Sequence, residues 1–254
     1  MNYTKHFALL LLVLISIIGC ESTTEPEVET EITNSSGQPM PNFSDASNFD
    51  GIMATISYEI ATVPGMPAVG LTMGYSQFGS MVDAGKVTVN NNELGKNDES
   101  GKVFYMSPGV GSLTGLSDVY FNASAHNWSV SGGNGISTLS GNVTSPRNFS
   151  VTSPTSNSTV SKSNDLTVSW SGGSSSSTEN ILIVLVGLSD SKTAFTAQEL
   201  GNSGSYTIKA SDLSKISGSA MLQVVKYNYD SISNSGKDYF MVSEIVKVIS
   251  LTIN

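Results

Sequence analysis

The sequence predicts an all-β protein, built as two antiparallel β-sandwich domains with an immunoglobulin-like one at the C-terminus. Three observations predict it. From residue 51 onward apolar and polar residues alternate at a spacing of two, and no sustained helical spacing appears. Clusters of Gly, Pro, Asn and Ser break this alternation every few residues, as turns do between short strands. Charged side chains make up 13% of the chain, about half the usual quarter, so Ser, Thr, Asn and Gly supply the polar surface.

Each element follows from its own residues. Ile52, Ala54, Ile56, Tyr58 and Ile60 share one strand face, with Thr55, Ser57 and Glu59 on the other. Pro64-Gly65-Met66-Pro67 reads as a loop. Strands are expected at 68–78, 86–90, 102–107, 117–123 and 127–131. Val87 and Val89 lead into Asn90-Asn91-Asn92, residues that tolerate the left-handed geometry of a hairpin turn. Farther on, Phe149-Ser150-Val151 leads to Pro154, and Leu166, Val168 and Trp170 alternate inward. Ile181 to Leu188 is apolar throughout except for Gly187, as expected of a strand in a sandwich core. Strands at 206–208, 219–229 and 238–253 complete the set, with a helical turn capped by Ser211. The domain boundary is expected at Ser145-Pro146, giving domains over 49–146 and 147–254. Residues 171–178 and 230–236 read as loops at the sandwich tips.

The N-terminus has the three parts of an export signal. Lys5 gives a positive start, and Phe7 to Ile18 is aliphatic apart from Ser16. That run fits the roughly 7–15 residues of a signal core and falls short of the roughly 20 that span a bilayer. Ile17-Ile18-Gly19-Cys20 follows. It resembles the lipobox of bacterial lipoproteins, which implies cleavage of residues 1–19 and lipid attachment at Cys20. Cys20 is the single cysteine of the chain, so no internal disulfide can form. Two or more acyl chains hold a protein stably to a membrane, since each buried CH₂ contributes about 0.8 kcal/mol. Residues 20–48 carry Glu21, Glu25, Glu27, Glu29 and Glu31 and little apolar content. Such a segment is expected to be a disordered tether. Acidic residues behind the lipidated cysteine also resemble a surface-export signal, so the expected location is the envelope, at the outer membrane, facing either the outside or the periplasm.

The segments 149–173, 180–188 and 204–216 resemble the immunoglobulin-like domains of bacterial surface and exported proteins. DAGKVTVNNNELGK (83–96) with NWSVSGG (127–133) is similar to the partner half of uncharacterised two-domain envelope lipoproteins. The resemblance implies a fold and no activity. The cysteine pair of antibody domains is absent.

Composition narrows the chemistry. Without residues 1–19 the chain keeps 11 basic against 21 acidic side chains, a net charge near −10. Nucleic-acid binding needs clustered Lys and Arg, which this chain lacks. His126 is the one histidine after the leader, and thiolate or multi-histidine zinc sites have no ligands. His126 is expected at a strand edge, on the surface or partly packed. No catalytic residue, metal or cofactor is assigned. A binding or structural role is therefore expected, with a glycan or another envelope protein as partner and the membrane reached through Cys20. Tyr227 and Tyr229 are the candidate partner contacts, while Trp128 and Trp170 read as core. The rival reading is a carbohydrate-active enzyme using two of the scattered carboxylates, Glu59, Asp83, Glu93, Asp98, Glu99, Asp118, Asp165, Asp190, Asp230, Asp238 and Glu244. Asn92 to Glu99 reads as a solvated hairpin loop whose oxygens suit calcium but match no known ligand spacing, so tight calcium binding is not expected.

Because the lipobox ends in this cysteine, Cys20→Ala is expected to abolish lipid labelling and membrane fractionation together. Retention of the variant in membranes after a high-salt wash would contradict the lipoprotein reading.

Overall fold

The computed structural model describes residues 49–60, 69–107, 115–174, 177–188 and 193–254. The leader, Cys20, the acidic segment, Pro64-Gly65-Met66-Pro67 and Asp190 lie outside the described residues. The regular structure of the described chain is almost entirely strand: β1 (Phe49–Ile60), β2 (Val69–Phe78), β3 (Val87–Val89), β4 (Asn92–Glu93), β5 (Gly95–Glu99), β6 (Lys102–Ser107), β7 (Ala125–Val130), β8 (Leu139–Thr144), β9 (Val151–Ser153), β10 (Ser158–Val160), β11 (Leu166–Trp170), β12 (Asn180–Gly187), β13 (Thr193–Gly201), β14 (Ser205–Ile208), β15 (Gly218–Asn234) and β16 (Lys237–Ile253). One helical turn, α1 (Ala210–Leu213), precedes β15.

Three sheets form. The largest runs β13-β12-β15-β16-β1-β2-β6-β5, with β10 added beside the end of β16. Two smaller sheets, β4-β3-β7-β8 and β14-β11-β9, cover one face of it. This inner face carries two cores. Met53, Phe78, Tyr239 and Met241 pack against Val87, Val89, Trp128 and Val130 of the first small sheet. Ile183, Leu185, Leu222, Val224 and Ile245 pack against Leu166, Val168, Trp170 and Ile208 of the second. Both tryptophans are core residues, as their alternation predicts. Each large buried side chain contributes on the order of 1.5–3 kcal/mol.

The hydrogen bonds do not follow the expected division at 146/147. β1 pairs in parallel with β16 from Phe49↔Asp238 to Ile60↔Val248, and antiparallel with β2. Strands from both sides of the boundary thus share one sheet. Ser145 is itself buried, with its N–H on the Ser124 carbonyl and its hydroxyl on that of Tyr120. Ser-Pro there marks a tied crossing between cores, where a linker was expected.

Between the two inner cores the face turns polar. Lys226 and Glu179 form a buried ion pair at 3.2 Å. Glu179 also accepts from the Arg147 N–H at 2.7 Å and from Asn202 at 2.9 Å, and Asn202 accepts from the Trp170 indole at 2.8 Å. Burial alone would raise the Glu179 carboxyl. The Arg147 N–H, Lys226 and Ser177 outweigh it and hold the group below its ordinary value. Lys247 pairs with Glu59 on the adjoining strand, and both ammonium groups lie over the Phe149 ring, at 5.1 and 5.9 Å.

Local expectations fare unevenly. Asn90 and Asn91 take positive φ, as the hairpin turn requires. Residues 117–123 form no strand beyond a single bridge, Asn122↔Arg147. Residues 230–236 are the end of the long β15–β16 hairpin, closed by Ser235 and Gly236 at positive φ. The turn of α1 begins at Ala210, and Asp165 caps its N–H at 2.9 Å in place of Ser211. The 171–178 stretch joins β11 to β12 as expected, with residues 175 and 176 outside the described ones.

Because β1 occupies the middle of the large sheet, residues 147–254 alone are expected not to fold. They would leave the long flank of β16 bare and lose the Thr55, Glu59 and His126 contacts. Circular dichroism melts should show no cooperative transition for this fragment and a single one for residues 49–254. A cooperative β-rich fragment would restore the two-domain division.

Candidate functional site

A cleft of about 520 Å³ opens where the chain leaves the first small sheet for the large one. The crossing is made at Leu94, which is buried and whose N–H bonds to the Val87 carbonyl at 2.9 Å. β4 before it pairs with β3, and β5 after it pairs with β6. The change of sheet brings Glu93 and Lys96 to the lining of one opening, together with Leu94, Val87 and Tyr105.

Asp83 organises the cleft. One carboxylate oxygen accepts from the Tyr105 hydroxyl at 2.7 Å and the Gly85 N–H at 2.9 Å, and the other from Lys96 Nζ at 2.8 Å. These bonds, that of Lys96 foremost, hold the Asp83 carboxyl at about 2. Burial and then the Asp83 contact push the Tyr105 hydroxyl up to about 12. Tyr105 also accepts from the Ala84 N–H at 2.8 Å. Gly85 has a φ of 78°, and a Cβ there would lie 2.3 Å from the Ser131 hydroxyl oxygen, so glycine is required. On the other wall Lys86 pairs with Glu93 at 2.8 Å, both well exposed.

The remaining carboxylates are dispersed. Glu59 serves Lys247, Asp98 accepts from the Gly101 N–H, Asp118 meets Tyr120, and Asp165 holds Lys209. Asp230 accepts from the Ser231 N–H, and Asp238 meets Ser233. Asp83 and Glu93 share the cleft, and each has its own lysine. Glu244 lies on the opposite face of the large sheet, where burial pushes it up to about 8. The lowered and the raised carboxyl are therefore on different sides of a sheet. Residues 92–93 and 95–99 are strand on either side of Leu94, where a loop was expected. Asn92 donates to the Val89, Asn90 and Ser117 carbonyls, Glu93 turns to Lys86, and Asp98 to Gly101. Among the described residues no acidic or histidine cluster has metal-binding geometry.

His126 is fully buried, which corrects the expected strand-edge position. Its Nε2 lies 3.1 Å from the Tyr120 carbonyl, which can only accept, so Nε2 carries the proton. Nδ1 then accepts from the Thr55 hydroxyl at 2.7 Å and that of Ser243 at 3.1 Å. This is the geometry of a base beside two hydroxyls, closed off from any substrate. Tyr227 is also fully buried. It stacks on half-buried Tyr229 with centroids 6.2 Å apart, and Tyr229 packs on Phe240 at 5.7 Å. In the full chain Tyr227 is thus not a surface contact. The cleft residues went unnoticed as a set because Asp83, Glu93, Lys96 and Tyr105 are brought together by the change of sheet at Leu94.

Burial holds His126 below its ordinary value, which the Tyr120 contact only partly offsets. Its neutral form is the folded form, so its contribution is complete above about pH 6.5 and is lost as pH falls through the lowered folded value. Buried Glu244 acts in the opposite sense over this range, so the His126 contribution is read as the difference in thermal midpoint between the wild type and His126→Gln, which is expected to shrink on acidification from about pH 7 to about pH 5. A difference that stays constant across that range would mean that His126 does not titrate there.

No protein-family model and no curated protein matches the chain. Solved structures do match it, among them three β-modules. The fibronectin(III)-like modules of Clostridium thermocellum CbhA align at 10% identity and a TM-score of 0.23, over 42% of this chain and 94% of that one. A tetra-tandem repeat in the extending region of a large adhesion protein aligns at 14% identity and a TM-score of 0.23, over 78% of this chain and 49% of that one. The BSP domain of a biofilm associated protein aligns at 13% identity and a TM-score of 0.19, over 72% of this chain and 27% of that one. These are resemblances between β-modules, and what this chain does is read from its own residues.

Proposed function

We propose that the chain is a lipid-anchored envelope protein that binds a hydroxyl-rich partner, a glycan of the cell envelope, through the Asp83–Lys96–Tyr105 cleft. The observation that carries this reading is the fixed charge of the cleft. Asp83 is held at about 2 by Lys96, Tyr105 and Gly85, and stays ionised at any physiological pH. Such a group accepts hydrogen bonds and does not deliver protons. Lys86 and Lys96 supply donors beside the acceptors Asp83 and Glu93, an alternation that suits sugar hydroxyls. Acid–base hydrolysis instead needs two carboxyls in one cleft with values pushed apart. The chain's strongly raised carboxyl, Glu244, faces away from this one. The lipobox at Cys20 and the acidic stretch behind it support placement at the outer membrane, with the folded head held off the bilayer.

The test is a binding and turnover screen of residues 20–254 with Cys20→Ser, against labelled envelope polysaccharides and chromogenic glycosides. Saturable binding is expected, with Lys96→Ala weakening it about tenfold, the worth of one charged hydrogen bond. Turnover lost on Asp83→Asn or Glu93→Gln would replace this reading with the carbohydrate-active enzyme.

A further inference from the structure

Strand register brings an amine, a carboxylate and a carboxamide together in the seam. β12 lies between β13 and β15, with Asn180 opposite both Gly201 and Tyr227, and Ile181 opposite Lys226. Ile181 belongs to the inner core, so Lys226 across from it and Glu179 two residues earlier share the inner face. Asn202 follows Gly201 and comes in beside Glu179 from the other flank. Lys226 is 1% exposed, Asn202 2% and Glu179 9%.

An ion pair needs two groups, and a carboxamide shares this one. Glu179 Oε2 lies 3.2 Å from Lys226 Nζ and accepts from Asn202 Nδ2 at 2.9 Å. The amine and the amide nitrogen thus meet at one oxygen, which can take a proton from the first and give it to the second. The Trp170 indole donates to Asn202 Oδ1 at 2.8 Å, where negative charge would develop if Cγ were attacked. Nδ2 has two hydrogens and three acceptors: Glu179 Oε2, the Gly172 carbonyl at 3.1 Å and the Ser177 hydroxyl oxygen at 3.3 Å. Departing ammonia has a hydrogen for each of the three, and Gly172 is in an exposed loop through which it can leave. Burial of both nitrogens, with the Phe149 ring 5.1 Å from Nζ, keeps out the water that would compete as nucleophile.

We propose that Lys226 and Asn202 become joined by a covalent amide bond, formed by the chain itself with Glu179 as proton carrier. Glu179 takes one proton from the Lys226 ammonium, and the freed amine attacks Cγ of Asn202. The Nζ–Cγ bond forms and the Cγ–Nδ2 bond breaks. Glu179 passes its proton to Nδ2, takes a second from Nζ, and ammonia leaves. An ammonium, a carboxylate and a primary amide have then become a secondary amide, a neutral carboxyl and ammonia. Hydrogens and charge balance with no oxidant or co-reactant. Folding holds the groups in place, so the step is unimolecular, and it removes two buried charges together with their desolvation cost. The bond bridges β12 and fastens β13, at the edge of the large sheet, to central β15.

A tryptic digest of the purified full-length chain reads the bond directly. Trypsin does not cut after an acylated lysine, so residues 193–209, which contain Asn202, are expected joined to an uncut 216–237. The joined species should have a mass one ammonia below that of the two peptides together, and fragmentation should place the branch at Lys226. Separate peptides 193–209, 216–226 and 227–237 as the main products would overturn the proposal. A cyclised Asn202 also loses ammonia, but it leaves the peptides separate and counts against the bond. Glu179→Gln protein that keeps its β-rich circular dichroism is expected to lose the joined species, and its persistence there would overturn the role of Glu179. The digest of the parent chain decides the bond whether or not that variant folds.

Discussion

β16 is hydrogen-bonded to β15 along its whole length, and on its other flank to β1 and then to β10. Nothing else in the described chain touches so much of the molecule. Its inner-facing residues enter one core at Tyr239 and Met241 and the other at Ile245, Leu251 and Ile253. Its outer-facing residues, Phe240, Val242 and Val246, make the floor of the third cluster. A strand of 17 residues is long enough to serve two small sheets side by side, and this shared spine joins what would otherwise be separate sandwiches. The parallel partner β1 comes from the other end of the sequence, so closing the sheet requires most of the chain.

Sharing one spine creates a seam, and the seam is polar. Between the two apolar cores the inner face carries Thr55, Ser243, Lys226 and Lys247, met by His126, Glu179 and Asn202. Pairing buried charges offsets their desolvation without adding much net stability, while removing one partner strands the other at a cost of about 3–5 kcal/mol. The seam therefore penalises misplacement of the small sheets more than it strengthens correct docking. It also explains the neutral, doubly hydroxyl-bound His126, which joins β7 to β1 and β16 as a structural peg.

The cleft follows from the same architecture. At Leu94 the chain steps from a covering sheet to the large one, and the parted layers expose Asp83 with its three donors. Its rigidity comes from Tyr105, whose ring is in the core and whose hydroxyl ties both Asp83 and the Ala84 N–H. Charges held in this way are in place without further ordering of the side chains that carry them.

The sequence by itself determined the class of the protein. Period-two alternation is a local property of the pleat, so the strand faces of Ile52 to Tyr58 and Leu166 to Trp170, the Asn90-Asn91 turn and the buried tryptophans were all legible, and so was the apolar strand from Ile181, which stops short of exposed Leu188. Tertiary structure decided everything that depends on which strand lies beside which. Alternation gives two faces and no partner, so it could not show that β1 joins β16, that Ser145-Pro146 is a buried crossing, or that residues 230–236 continue a hairpin. Nor could it place His126, whose Nδ1 partners Thr55 and Ser243 lie 71 and 117 residues away in the chain. The cleft belongs to the same class, since Asp83, Glu93, Lys96 and Tyr105 acquire a common purpose only when two sheets separate around Leu94. Hydrogen bonding along a strand is written in its own residues, whereas pairing between strands is settled by the whole set of faces that must be buried at once.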